Sequence, residues 1–125
     1  MVTADPISIS DAALLTGLST HTLRYYERAG LMLDRVGRAP SSHRRYTEDE
    51  IRWVTLLTKM RATGMPIRRL REYADLVRAG GGNELERLEL LEAHRAAVLT
   101  QLAAMRANLD AIDQKIALYR SRLTA

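Results

Sequence analysis

Between Asn83 and Ala125 the chain has neither glycine nor proline, and apolar residues recur there in alternating steps of three and four. They are Leu88, Leu91, Val98, Leu102, Met105, Leu109, Ile112, Ile116, Tyr119 and Leu123, with Arg95 as the one interruption. This is a heptad seam sustained over about five repeats, the pattern that turns one stripe of a helix toward another helix. A helix from Glu84 to Leu123 is roughly 60 Å long at its usual rise. The preceding residues, 1–80, are too few to cover that stripe along its whole length, and no other helix is left in the chain to meet it. The seam therefore predicts a homodimer. Two shorter antiparallel helices within one chain would need a turn, and the stretch has no turn-making residue.

The remaining composition narrows the function classes. Of 125 residues, 46% are apolar and 27% charged, which suits a folded chain. There is no cysteine. That excludes a disulfide scaffold, a thiolate metal site, an iron–sulfur cluster and a thiol nucleophile. No metal, cofactor or catalytic residue is expected. No apolar run approaches the length that spans a membrane. Met1 to Ser10 lacks a basic start followed by an apolar core, so no signal peptide and a cytoplasmic location are expected. The absence of phenylalanine and the confinement of glycine to a few places argue against a strand-rich sandwich.

The formal charge of +4 is unevenly placed. Residues 1–80 carry 13 Lys and Arg against 9 Asp and Glu, while residues 81–125 carry 6 of each. Arg24, Arg28, Arg35, Arg38, Arg44 and Arg45 stand beside only Glu27 and Asp34. Arginine forks suit bidentate contact with phosphate, and a basic patch beside tyrosines points toward nucleic acid. A solvated basic surface is the plainer alternative at this point.

Local signals divide the first part of the chain. Ser8 can cap a short helix in which Asp11 takes the third position and Gly17 ends the run. Ser19 caps a second helix, about Thr20 to Ala29, with Leu18 placed to pack on Leu23 and Gly30 as the stop. Two short helices joined by a tight glycine turn make a helix-turn-helix candidate. Leu31-Met32-Leu33 and His43-Arg44-Arg45-Tyr46 can pair as a hairpin around a loop containing Gly37, Pro40, Ser41 and Ser42. Thr47-Glu48-Asp49-Glu50 is a capping box ahead of Ile51, Trp53, Val54, Leu56, Leu57 and Met60, a third helix ending near Thr63-Gly64. Pro66 is expected at the first position of a fourth helix, with Ile67, Leu70, Ala74 and Val77 inward. Gly80-Gly81-Gly82 is a break and hinge. The expected domains are a head, 1–80, and a dimerisation helix, 81–125.

Two stretches resemble the MerR family of transcription regulators. Ser19-Thr20-His21-Thr22-Leu23-Arg24-Tyr25-Tyr26-Glu27-Arg28-Ala29-Gly30-Leu31 follows that family's recognition-helix signature. His43-Arg44-Arg45-Tyr46-Thr47-Glu48-Asp49-Glu50-Ile51 follows its wing and third-helix signature. Gly64-Met65-Pro66-Ile67, the glycine break and the heptad helix fall in the family's order, so the resemblance covers about residues 7–123. It implies a mostly α fold: a winged helix-turn-helix head, a connecting helix pair and a long C-terminal helix forming an antiparallel coiled-coil dimer. It also implies that Arg24 and Tyr25 hold phosphates from the recognition helix and that Arg44, with Tyr46 beside it, does so from the wing. Ser19, Thr22, Arg28 and Arg45 complete the expected DNA-contacting set. Thr20 and His21 are the expected base readers, because a recognition helix reads bases with its N-terminal residues. For Tyr26, core packing and DNA contact are both open. His94 is read as surface or interface.

The implied partners are double-stranded promoter DNA, a second copy of the chain and RNA polymerase at the promoter, with no membrane. Relatives of this kind distort an overlong promoter spacer. Only Arg120 to Ala125 follow Tyr119, so no separate drug-binding domain is expected, and metal-sensing relatives use cysteines that are missing here. The stretch from Trp53 to Ile67 looks most like the branch linked to aldehyde and electrophile stress. The reactive cysteine of that branch aligns approximately with Lys59, read here as a plain surface lysine. Any small-molecule inducer is expected where Tyr119 and Leu123 of one chain meet the partner's head near Gly80-Gly81-Gly82. Two other classes compete. A coiled-coil adaptor would not act through DNA, and a small enzyme lacks any clustered catalytic groups.

Overall fold

The computed structural model of the chain describes residues 5–33, 37–38 and 44–124, with the backbone alone described at 37, 38 and 44. The expected loop around Pro40 to Ser42, together with Arg35 and His43, lies outside the described residues, as does the Arg44 side chain. Two compact units are present, Met1–Leu90 and Leu91–Ala125.

The first unit starts with strand β1 (Ile7–Ser8) and helix α1 (Ile9–Thr16). The Ser8 hydroxyl accepts the Asp11 N–H at 3.2 Å, and the Gly17 N–H closes the other end on the Ala13 carbonyl at 2.9 Å. Helix α2 (Thr20–Arg28) is capped by Ser19, whose hydroxyl accepts the Thr22 N–H at 3.0 Å. At its far end Gly30 takes φ 74°, which an L side chain rarely adopts. The Gly30 N–H then reaches the Glu27 carbonyl and the Leu31 N–H reaches the Tyr26 carbonyl at 3.0 Å. This paired closure drives Leu31 and Tyr26 together into the core, where both are buried.

Strands β2 (Gly37–Arg38) and β3 (Arg44–Tyr46) pair antiparallel, with Gly37 opposite Arg45 and Arg38 opposite Arg44. Among the described residues the sheet has three strands in the order β1-β3-β2, because Ile7 lies opposite Tyr46 and Ser8 opposite Arg45. This corrects the expected hairpin. Its first strand lies at Gly37–Arg38 and not at Leu31–Leu33. Leu31 and Met32 are buried, and their carbonyls are engaged by side chains from distant helices. Nothing in the sequence marks β1, since two residues are too short to show an alternating pattern.

Helix α3 (Glu48–Ala62) begins at the expected capping box: Thr47 Oγ1 accepts the Glu50 N–H while Glu50 Oε1 accepts the Thr47 N–H, both at 3.1 Å. Trp53, Val54, Leu57 and Met60 are its buried face. It ends as α2 does, with the Gly64 N–H on the Arg61 carbonyl and the Met65 N–H on the Met60 carbonyl, and both methionines are buried. Helix α4 (Ile67–Arg78) buries Leu70 and Ala74. Pro66 precedes it as the N-cap, at φ −62° and ψ 149°, one residue before the expected position. Its carbonyl takes the N–H groups of Arg69 and Leu70, as the capping residue's carbonyl does in the first turn of a helix.

Helix α5 runs unbroken from Glu84 to Thr124. Its residues from Leu91 onward form the second unit, and from Leu99 to Thr124 all of them are exposed. No helix among the described residues is long and apolar enough to cross a membrane.

Candidate nucleic-acid interface

Helix α2 separates two kinds of residue onto two faces. Leu23 and Tyr26 are buried. His21, Arg24, Tyr25 and Arg28 fall at i, i+3, i+4 and i+7, so they share the opposite stripe, and all four are exposed. The cap at Ser19 and the glycine closure at Gly30 fix both ends, so the stripe is held on a helix with little freedom to fray. Burial places Tyr26 in the core, where its ring lies 6.2 Å from that of Tyr25 at 53°. Tyr25 projects the other way and keeps 39% of its surface exposed.

At the start of α2 the Ser19 and Thr22 hydroxyls lie 3.0 Å apart, so both side chains are already occupied with capping. Thr20 is half-buried and His21 is exposed. On the wing, Arg45 is exposed. Tyr46 is not available to a ligand: only 1% of its surface is exposed. Tyr46 sits opposite Ile7 of β1, and alternation along β3 puts it on the face away from Arg45, the face that packs into the core. Its expected phosphate contact is corrected to a core role.

Four consecutive carbonyls follow the exposed stripe, and side chains of α3 and α4 satisfy all of them. Arg71 Nε donates to the Ala29 carbonyl at 2.9 Å. Arg78 Nη1 donates to the Gly30 carbonyl at 3.0 Å and also to that of Met32. Trp53 Nε1 donates to the Leu31 carbonyl at 2.7 Å. Two cationic groups at this end of α2 also complement the helix dipole. Sequence reading did not single out Arg71 or Arg78. Their partners lie 42 and 48 residues away, and no local pattern signals them.

The residues of the heptad stripe stand without a cover in the single chain. Leu91 and Val98 are half-buried, while Leu88, Leu102, Met105, Leu109, Ile112, Ile116 and Tyr119 are exposed, as is Leu123 at 85%. His94 is half-buried on the same helix, and Lys59 is exposed on α3. Among the described residues no group of three or more His, Cys, Asp or Glu is placed to hold a metal ion.

Residues 7–76 match the MerR HTH family regulatory proteins. The chain is 35% identical over 109 residues to an HTH-type transcriptional regulator of Haemophilus influenzae, covering 87% of this chain and 80% of that one. It is 37% identical over 89 residues to the transcriptional regulator AdhR of Bacillus subtilis, spanning 71% of this chain and 63% of AdhR. In structure it resembles a MerR-family regulator from Listeria monocytogenes, with a TM-score of 0.87 at 33% identity, covering 94% of this chain and 88% of that one. It also resembles HiNmlR, a MerR-family regulator lacking the sensor domain and solved bound to promoter DNA, with a TM-score of 0.82 at 33% identity over 93% and 91% of the two chains. These relatives favour a DNA-binding role and leave the adaptor reading without support. A capped helix with an exposed basic stripe, a paired wing and a long heptad helix are thus the parts of a known kind of regulator, and the chain belongs to the MerR family of helix-turn-helix transcriptional regulators.

Proposed function

We propose that two copies of this chain, joined through α5 as an antiparallel coiled coil, grip two half-sites in promoter DNA and distort the DNA between them, so that RNA polymerase can use the promoter. Residues 1–80 serve as the DNA-binding head and 81–125 as the dimerisation helix, working in the cytoplasm. The observation that carries this reading is the exposed His21, Arg24, Tyr25 and Arg28 stripe on a helix capped at both ends. His21 and Thr20 meet base edges, as the N-terminal residues of a recognition helix do. Arg24, Tyr25 and Arg28, with Arg44 and Arg45 of the wing, take phosphates. Ser19 and Thr22 act through the cap that orients the first turn. HiNmlR, solved on promoter DNA, supports the placement of such a head on duplex.

In a two-fold dimer the half-sites lie about 34–36 Å apart, one helical turn. Gripping both at a fixed separation bends and untwists the intervening DNA, at a cost on the order of 1–6 kcal/mol that phosphate contacts offset. These 125 residues themselves offer no thiol to an inducer. Footprinting on a duplex selected by the protein tests the mechanism. Two protected half-sites around a centre of enhanced cleavage are expected. A flat, undistorted centre would leave a plain steric repressor.

A further inference from the structure

Helices α2 and α3 end in backbone closures in which an N–H five residues on meets the carbonyl near the helix end. At the end of α4 the corresponding carbonyl is that of Leu76, and Asn83, just before α5, and Arg87 of α5 supply its donors. Asn83 Nδ2 reaches it at 2.8 Å and Arg87 Nη2 at 3.4 Å. Arg87 also donates to the Gly80 carbonyl, and its Nε donates to Asn83 Oδ1 at 2.7 Å. The first turn of α5 is therefore tied to the last turn of α4 across the glycine break. That same last turn carries Arg78, which donates to the Gly30 and Met32 carbonyls behind the recognition helix and is braced by Asp75. Two arginines thus span the interval from α2 to α5, with the end of α4 as their common node.

Both use the planar fork. Arg78 holds two carbonyls and one carboxylate, and Arg87 holds two carbonyls and an amide oxygen, which a lysine's single ammonium cannot match in the same geometry. Gly80 and Gly82 take φ 92° and 97°, so the intervening backbone is open to many conformations in the unfolded chain. The side-chain ties, and not the glycine backbone, select one of them.

We propose that Arg78 and Arg87 are positioning residues that set which half-site separation the dimer accepts. This rests on the reading above of a dimer on two half-sites. Neither residue belongs to the exposed stripe that meets DNA. Each acts by fixing the direction of α2 against the start of α5, the helix that carries the dimer seam. Moving one half-site by a base pair displaces it by about 3.4 Å along the axis and turns it about the duplex. A head tied to the first turn of α5 resists that change more than a head released from the tie.

The test is selection from random-sequence duplexes by the full chain and by Arg78→Gln, Arg78→Lys and Arg87→Gln. Each variant is also measured against a duplex carrying a single selected half-site. The wild type should return one half-site motif at one separation, with about tenfold weaker binding when the separation changes by a base pair, a coupling of ordinary size. Arg78→Gln and Arg87→Gln should return the same motif and the same single-half-site affinity but a broadened range of separations. Arg78→Lys, keeping charge and losing the fork, should broaden it as well. A merely structural role would lower both affinities together and leave the separation sharp, and that result overturns the proposal. If Arg78→Gln does not fold, as judged by circular dichroism, Arg87→Gln decides alone, and an unchanged separation in that variant overturns it. A wild type that enriches single half-sites with no fixed partner overturns the dimer reading itself.

Discussion

Trp53 Nε1 donates to the Leu31 carbonyl at 2.7 Å, joining the middle of α3 to the residue just past the recognition helix. Both residues are buried, and the indole also stacks on Tyr73 of α4 at 5.7 Å with 10° between the planes. Trp53→Phe keeps a ring and removes the donor, leaving a buried carbonyl without it. The expected cost is about 1–3 kcal/mol, beyond the lost packing. A thermal melt followed by circular dichroism should show a lower Tm, and an unchanged melt would mean that this bond contributes nothing to the head.

The seam can be tested by charge. Leu102→Glu combined with Leu109→Glu places unpaired carboxylates in the stripe that the proposed dimer would bury, a costly desolvation. Multi-angle light scattering should show monomers, and binding to a two-half-site duplex should fall with the loss of the second head. An intact dimer of this double variant would remove α5 as the joining element.

Positioning and reading on α2 separate in salt titrations. Arg24→Ala should weaken specific and random duplex by similar factors and make the salt slope shallower by about one unit. His21→Ala should narrow the gap between specific and random duplex and leave that slope in place. A changed base preference in Arg24→Ala at constant slope would reverse the two roles.

Tyr46 provides a check on the wing. With 1% of its surface exposed it belongs to the core, so Tyr46→Phe should leave DNA affinity and salt slope unchanged. Tyr46→Ala should cost about 3–5 kcal/mol of stability, the range for removing a large buried ring. Loss of DNA affinity in the phenylalanine variant, at full stability, would return the phenol to the interface.

The parts of the fold legible in the chain are those decided by neighbours. Ser8, Ser19 and Thr47 each cap a helix through a bond to the third residue on, and such a bond depends on little beyond those residues. Gly30 and Gly64 stop helices at φ 74° and 95°, angles that glycine adopts without the steric cost of a side chain. The heptad seam likewise marks a stripe on one uninterrupted helix, since period alone puts its residues on one side. Matters that depend on distant partners were not legible. Leu31 and Met32 look like strand residues by composition, yet their carbonyls are taken by Trp53 and Arg78, 22 and 46 residues away, and their side chains fill the core. Arg45 and Tyr46 are adjacent and both suit phosphate. Alternation along β3 puts them on opposite faces, and only the packing of one face into the core buries Tyr46 and leaves Arg45 exposed. Local hydrogen bonds and periodicity act before the chain is compact. The choice between equally suited neighbours, and the ties made by Arg71, Arg78 and Arg87, arises only when packing brings far segments within bonding distance.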